Sequence, residues 1–174
     1  MLRGTRGLVL DLRDTPGGGN TTVARAILGR LISEEQPYQR HEQPAEERRY
    51  RVRRIWVEHA APRGPFAYTK ALAVLVGRWT GSMGEGLTIG LDAMRRATVI
   101  GTPMAGLLGA TYGTTLPHTR IEVRVPAERL YHVRGTPREG FVPGVLVQPG
   151  QDEAGTDLTL EVALKLMRGK VPAL

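Results

Sequence analysis

A serine and two glycine-rich turns are the residues of this sequence best placed to do chemistry. Ser82 lies in Thr80-Gly81-Ser82-Met83-Gly84, between the apolar run Leu72-Ala73-Val74-Leu75-Val76 and a stretch carrying Leu87, Ile89, Leu91 and Met94 that reads as a helix. Pro16-Gly17-Gly18-Gly19 follows another apolar run, residues 8–12, and leads through Asn20 into a second helical pattern of Val23, Ala26, Ile27, Leu31 and Ile32. Each turn therefore joins a strand to a helix. Bare glycine backbone can bring N–H groups close to an anion. A serine hydroxyl beside such donors is what acyl transfer requires, because the donors face the oxyanion formed when the hydroxyl attacks a carbonyl. Each feature also has a plainer reading, since serine is a common helix N-cap and Pro-Gly-Gly a common turn. A nucleotide site is disfavoured: no Lys-Ser/Thr pair follows Gly17-Gly18-Gly19, and the dinucleotide spacing of glycines is absent. With no cysteine, thiol nucleophiles, disulfides and Cys-ligated zinc are excluded.

The elements that must hold these turns follow from the apolar pattern. Residues 72–76 show no alternation, as in a parallel strand covered on both faces. Residues 97–101 read as the next short strand, 121–133 as two more, 139–147 as a return to the sheet, and 158–167 as a closing amphipathic helix. Residues 34–47 read as a polar loop. Residues 49–57 read as a strand, with Arg48, Arg49, Arg51, Arg53 and Arg54 forming its solvated face rather than a nucleic-acid patch. Strand and helix alternate, so the fold class is α/β. In such sheets ligands bind beyond the carboxyl ends of the strands, beside helix amino termini, which puts both glycine turns on one rim.

Composition bounds the rest. A chain of 174 residues suits one domain of roughly 150 residues. Hydrophobic residues at 41% and charged residues at 24% fit a globular chain rather than a disordered one. Twenty-two glycines and twelve prolines imply many turns. No apolar run approaches the roughly 20 residues that cross a bilayer, so no integral membrane segment is expected. The net charge of +7, from 24 Lys+Arg against 17 Asp+Glu, is scattered, and no nucleic-acid partner is expected. Residues 1–6 hold no apolar signal region and a strand begins almost at once, so the chain reads as either minimal or a piece of something longer.

Four segments together resemble the C-terminal processing peptidases, or tail-specific proteases. Leu8-Val9-Leu10-Asp11-Leu12-Arg13-Asp14-Thr15-Pro16-Gly17-Gly18 is similar to their LDLRxNPGG segment. Gly81-Ser82-Met83-Gly84-Glu85 resembles their nucleophile turn, with a glutamate three residues after the serine. Arg96-Ala97-Thr98-Val99-Ile100-Gly101 matches an RAxxVG strand, and Glu139-Gly140-Phe141-Val142-Pro143 resembles the GxxPD end of the core. The resemblance implies a crotonase/ClpP-like core of stacked strand-strand-helix units, with residues 1–174 as a single core domain of a longer protein. It implies Ser82 as nucleophile, an oxyanion hole from the amides of Gly18 and Met83 with Gly17 as the alternative donor, a peptide or protein substrate, and no cofactor or metal. Assembly into homo-oligomers stays open, and relatives are exported or cytoplasmic.

One departure changes the mechanism. Serine–lysine members carry their lysine in an FGKG turn, and the matching stretch here is Ala105-Gly106-Leu107-Leu108-Gly109, so Leu107 takes the lysine's place. The three lysines do not replace it: Lys165 and Lys170 fall in the carboxyl-terminal helix region, and Lys70 precedes the strand whose far end leads to Ser82, roughly seven residues at about 3.3 Å each, which puts it on the order of 20 Å away. The tricorn-like branch fits better. There a histidine from an upstream region is the base and a glutamate near the carboxyl-terminal motif, here Glu139, assists it. None of His41, His59, His118 and His132 matches that histidine. The expectation is a serine endopeptidase core whose base comes from a missing upstream region, the isolated chain being inactive. The alternatives are a noncatalytic domain binding a peptide or apolar ligand, and an α/β-hydrolase using Ser82, Asp92 and His118, which the Thr80 in place of an elbow glycine disfavours.

Overall fold

The computed structural model describes residues 2–169. Its centre is a parallel sheet of β1 (Gly7–Asp11), β4 (Ala71–Val76), β5 (Thr98–Gly101) and β9 (Val145–Leu146), in the order β1-β4-β5-β9. β4 is buried along Leu72 to Val76 because both faces are covered, which is why its sequence lacks alternation. On one face pack α1 (Thr21–Leu28) and α3 (Met83–Ala93), joining Leu72, Val74 and Val76 to Leu28, Ile89 and Leu91. On the other lies α4 (Leu158–Met167), where Ala163 meets Ala73, Leu75 and Ile100. Burying each such leucine or isoleucine contributes about 1.5–3 kcal/mol. The α/β expectation and the closing helix over residues 158–167 hold.

A second sheet, β3-β2-β8, is antiparallel and consists of β2 (Gln36–Glu42), β3 (Ile55–Ala60) and β8 (Arg129–Tyr131). It leans on α3: a Cβ added at Gly90 would lie 3.0 Å from the Tyr38 ring, and one at Gly86 would lie 3.2 Å from Gln39 Oε1. Helix α3 gives up helix propensity at glycine, about 1 kcal/mol each, to let this sheet come close. A separate hairpin is formed by β6 (Thr111–Thr115) and β7 (Glu122–Pro126).

Three expectations are corrected. Residues 34–47 are not a loop but contain β2, the central strand of its sheet, with Gln39, His41 and Glu42 buried. Two of its buried polar residues find partners on neighbouring segments: His41 sits between Glu58 and Glu128, and Glu42 takes Tyr131 and Arg53. The basic segment is not a strand face. Residues 44–50 form α2 (Pro44–Tyr50), with Pro44 in the first turn, Glu46 and Glu47 at the positive dipole end and Arg48 and Arg49 in the last turn. Arg51 ends it in the left-handed region at φ 59°, Arg53 and Arg54 lie in the connection, and β3 starts only at Ile55. The return over 139–147 shrinks to the two residues of β9, and Glu139 lies in a 3-10 turn, Arg138–Gly140. The two strands expected in 121–133 are β7 and β8.

Candidate active site

The two glycine turns meet at the carboxyl ends of β1 and β4. Parallel pairing of these strands, extended by the Leu12 amide donating to the Leu75 carbonyl at 2.9 Å, brings their exits side by side. The Gly81 amide then donates to the Thr15 carbonyl at 2.9 Å. Thr80, fully buried, completes the stitch by donating its hydroxyl to the Leu12 carbonyl at 2.8 Å and accepting the Gly77 amide at 3.0 Å. A Cβ on Gly81 would lie 2.5 Å from the Pro16 carbonyl oxygen, so only glycine allows this contact. A Cβ on Gly17 would lie 3.0 Å from Ser82 Cβ and 3.7 Å from Ser82 Oγ, which puts the first turn against the Ser82 side chain.

Both turns carry backbone that ordinary residues avoid. Gly17, Gly18 and Gly19 have φ of 143°, 91° and 83°. A Cβ built on Gly18 meets nothing within 4 Å, so that backbone faces open space. Half-buried Ser82 has φ 51° and ψ −113°, close to the first corner of a type II′ turn, where glycine dominates. Met83 is the first residue of α3, so its amide has no acceptor within the helix. Asn20 caps α1 as expected, its side chain accepting the Val23 amide at 3.2 Å.

Glu85 and Arg138 hold the Ser82 turn from behind. The Glu85 carboxylate, fully buried, accepts the amides of Ser82 at 2.8 Å, Gly106 at 3.0 Å and Leu107 at 3.1 Å. Arg138 pairs with it at 3.4 Å and donates to the Leu107 carbonyl at 2.9 Å and the Ser82 carbonyl at 3.4 Å. Burial pushes the Glu85 carboxyl above the usual carboxylate range, opposed by the Arg138 charge and the three amides. Burial likewise pushes Arg138 down, opposed by the charges of Glu85 and Glu139. The pair fastens the 105–109 loop to Ser82 and brings the turn bearing exposed Glu139 alongside. Glu139 itself borders a groove with Leu108, Pro137 and Arg129.

Lys70, Lys165, His41 and His132 are engaged elsewhere, and His59 and His118 are exposed. Leu107 packs over the Ser82 turn, its Cδ1 3.3 Å from a Cβ built on Gly81. Lys70 donates to the Thr5 carbonyl, Lys165 pairs with Glu161 on α4 at 3.5 Å, and Lys170 lies outside the described residues. His41 meets Glu128 at 3.0 Å and Glu58 at 3.2 Å and stacks on Trp56. Burial opposes its charge, but the hydrogen bonds of Glu58 and Glu128 outweigh burial and raise its pKa. His132 accepts the Arg134 amide at Nδ1, leaving Nε2–H for Asp92 at 3.2 Å. Asp92 is thus the partner of His132, not of exposed His118, and stands about 15 Å along α3 from Ser82, which overturns the hydrolase-order triad. Among the described residues no histidine or lysine is hydrogen-bonded to Ser82.

The profile of Peptidase family S41 matches residues 1–147. The chain belongs to that family. S41 is a family of serine peptidases, acting on peptides or proteins. Solved structures similar to this S41 chain include a candidate peptidase from Parabacteroides merdae, with TM-score 0.77 and 21% identity over 93% of this chain and 52% of that one. The photosystem II D1 C-terminal processing protease gives 0.63 and 22% over 88% and 38%. The tricorn protease gives 0.64 and 15% over 95% and 15%. Identities this low speak for the fold alone, a mixed α/β core of the ClpP/crotonase type. The S41 chain spans about half or less of the length of these structures. A search of curated proteins gave no match. No helix among the described residues is long and apolar enough to cross a membrane.

Proposed function

We propose that this S41 chain is the core domain of a tail-specific serine endopeptidase of the tricorn-like kind. Ser82 Oγ attacks the scissile carbonyl carbon while its proton passes to a base. The amides of Gly18 and Met83 hold the oxyanion of the tetrahedral intermediate. Collapse of that intermediate expels the amine, which takes the proton, and leaves an acyl-serine that water hydrolyses by the same steps in reverse. The base is a histidine from a region upstream of this core, oriented by Glu139, because Lys70, Lys165, His41 and His132 are committed elsewhere and no histidine or lysine among the described residues is hydrogen-bonded to Ser82. Without that region the chain has little or no peptidase activity, since an unassisted serine hydroxyl is a weak nucleophile.

The observation that carries this reading is the contact of the Gly17 backbone with the Ser82 side chain at a Ser82 φ of 51°. The test is peptide hydrolysis by the longer protein with and without Ser82→Ala; equal rates would refute the assignment. A second reading, a noncatalytic module for a peptide or apolar ligand, is favoured by Leu107 standing where serine–lysine relatives keep their base. Labelling by a serine-reactive fluorophosphonate separates them, because only the enzyme reading predicts modification of Ser82.

A further inference from the structure

The β6–β7 hairpin takes no part in this chemistry, and its two faces are unlike. Tyr112 lies opposite Val125 and Thr114 opposite Val123, and the Leu116 amide extends the ladder to the Ile121 carbonyl. Directly opposed residues of an antiparallel pair share a face. One face therefore carries Tyr112, Thr114, Leu116, Ile121, Val123 and Val125, with Thr114 its one small polar residue, and the other carries Thr111, Gly113, Thr115, Glu122, Arg124 and Pro126. Tyr112, Leu116, Ile121 and Val125 are exposed, Ile121 at 57%. Isolated two-stranded ribbons are marginal in water, and a contiguous apolar face on one is a place for something to bind.

The lower end of that face borders a groove beside the loops that hold Ser82. Tyr112 donates to Glu128 at 2.6 Å and accepts from Gln43 at 3.4 Å, fixing the hairpin beside α2. Val125 there walls a groove of about 510 Å³, opposite Pro44, Ala45 and Arg48 of α2. The same groove reaches Leu108 and Glu139, and Leu108 follows the residue whose carbonyl Arg138 holds beside Ser82. The Glu128 carboxylate in the groove is taken up by His41 and Tyr112, while Arg48 on the α2 wall and Arg129 are both exposed against one exposed carboxylate, Glu139, so the groove is net positive and offers Arg48 to a carboxylate.

We propose that the hairpin's apolar face and this groove form one binding surface for an extended peptide substrate, with alternate apolar side chains against the hairpin and a carboxylate on Arg48. The proposal deepens the peptidase reading and rests on it for the identity of the ligand. Ile121, Val123 and Val125 repeat every second residue, about 6.6 Å apart, which is the spacing of same-face side chains in an extended peptide.

The test is fluorescence anisotropy on the full chain carrying Ser82→Ala, so that binding is read without turnover. The probe is a fluorescein-labelled, amidated octapeptide alternating Leu and Ser and ending in Glu. Ile121→Asp and Val123→Asp weaken it by about tenfold or more, whereas Arg124→Ser on the opposite face leaves it within about twofold, circular dichroism confirming that all three fold. Arg48→Gln weakens the Glu peptide and not its Gln counterpart. A Gln peptide with a free carboxyl terminus that regains Arg48 dependence assigns the carboxylate to the terminus, and one that does not assigns it to the side chain. Equal binding by Ile121→Asp and Arg124→Ser, or no preference over an all-Ser peptide, overturns the proposal. So does sedimentation showing a dimer that Ile121→Asp dissociates while peptide binding is unchanged. An absence of turnover by the longer wild-type protein would sink the peptidase reading and leave this binding result intact.

Discussion

Replacing Ser82 by glycine rather than alanine isolates the strain in the nucleophile turn. Both variants lack the hydroxyl, so they differ in what the backbone at φ 51° and ψ −113° demands of the residue. A side chain held in such a sparsely populated region costs of order 1–3 kcal/mol. Glycine escapes that cost but loses about 0.5–1 kcal/mol of extra chain entropy on folding. The balance leaves Ser82→Gly about 1 kcal/mol more stable than Ser82→Ala. For a chain of 174 residues that is roughly 2–4 °C in Tm, measured by far-UV circular dichroism with both variants at one concentration and pH. The same backbone sets the Ser82 side chain against the Gly17 turn, where the proposed attack would take place. Equal stabilities, or a more stable alanine variant, would show that Ser82 is an ordinary N-cap and would refute the strained-turn argument.

Three further outcomes follow from the surrounding groups. Arg138→Met leaves the Glu85 carboxylate alone in a buried site and destabilises by about 3–5 kcal/mol in urea unfolding, whereas adding Glu85→Met recovers part of the loss; a double variant weaker than the single one would contradict the buried pair. His41 has a folded pKa above its reference of about 6.5, so its contribution is complete below that pH and is lost as pH rises through the raised value. Burial raises the Glu58 carboxyl, but His41, Tyr38 and Thr21 bring it down to about 2, so its contribution survives on the acid side until pH falls below about 4.3 toward that value. The stability gap between wild type and His41→Gln therefore narrows as pH rises above about 6.5, and a gap that stays constant with rising pH would remove the charged cluster from the account. Leu107→Lys puts an amine over the nucleophile turn and raises fluorophosphonate labelling of Ser82 by about 100-fold or more at alkaline pH, the low end of general-base assistance. No change would mean that the 105–109 loop does not present residue 107 to the hydroxyl.

The parts of the site that depend on local chemistry were legible in the sequence. That Ser82 and the Gly17–Gly19 turn meet at one rim followed from two glycine turns that each join a strand to a helix, and Asn20 caps as its type predicts. Glu85 carried a visible signal, a glutamate three residues after a serine at a helix start. Arg138 carried none: a buried guanidinium is stabilised by Glu85 and two carbonyls distant in sequence, and periodicity does not record such pairing. β2 was hidden for the same reason, because His41 and Glu42 read as surface residues until Glu58 of β3, Tyr131 of β8 and Glu128 of the β7–β8 connection arrive. The error over residues 49–57 was one of period: Pro44 with acidic residues after it and basic ones at the end is a helix pattern, and the arginine alternation drew the reading toward a strand.

The most direct test of the central claim is a crystal structure of the longer protein after reaction with a fluorophosphonate. The account predicts an adduct on Ser82 Oγ with one phosphonyl oxygen roughly 2.7–3.1 Å from both the Gly18 and Met83 amides. An unmodified Ser82 under excess reagent, or an adduct whose oxygens reach neither amide, would contradict it.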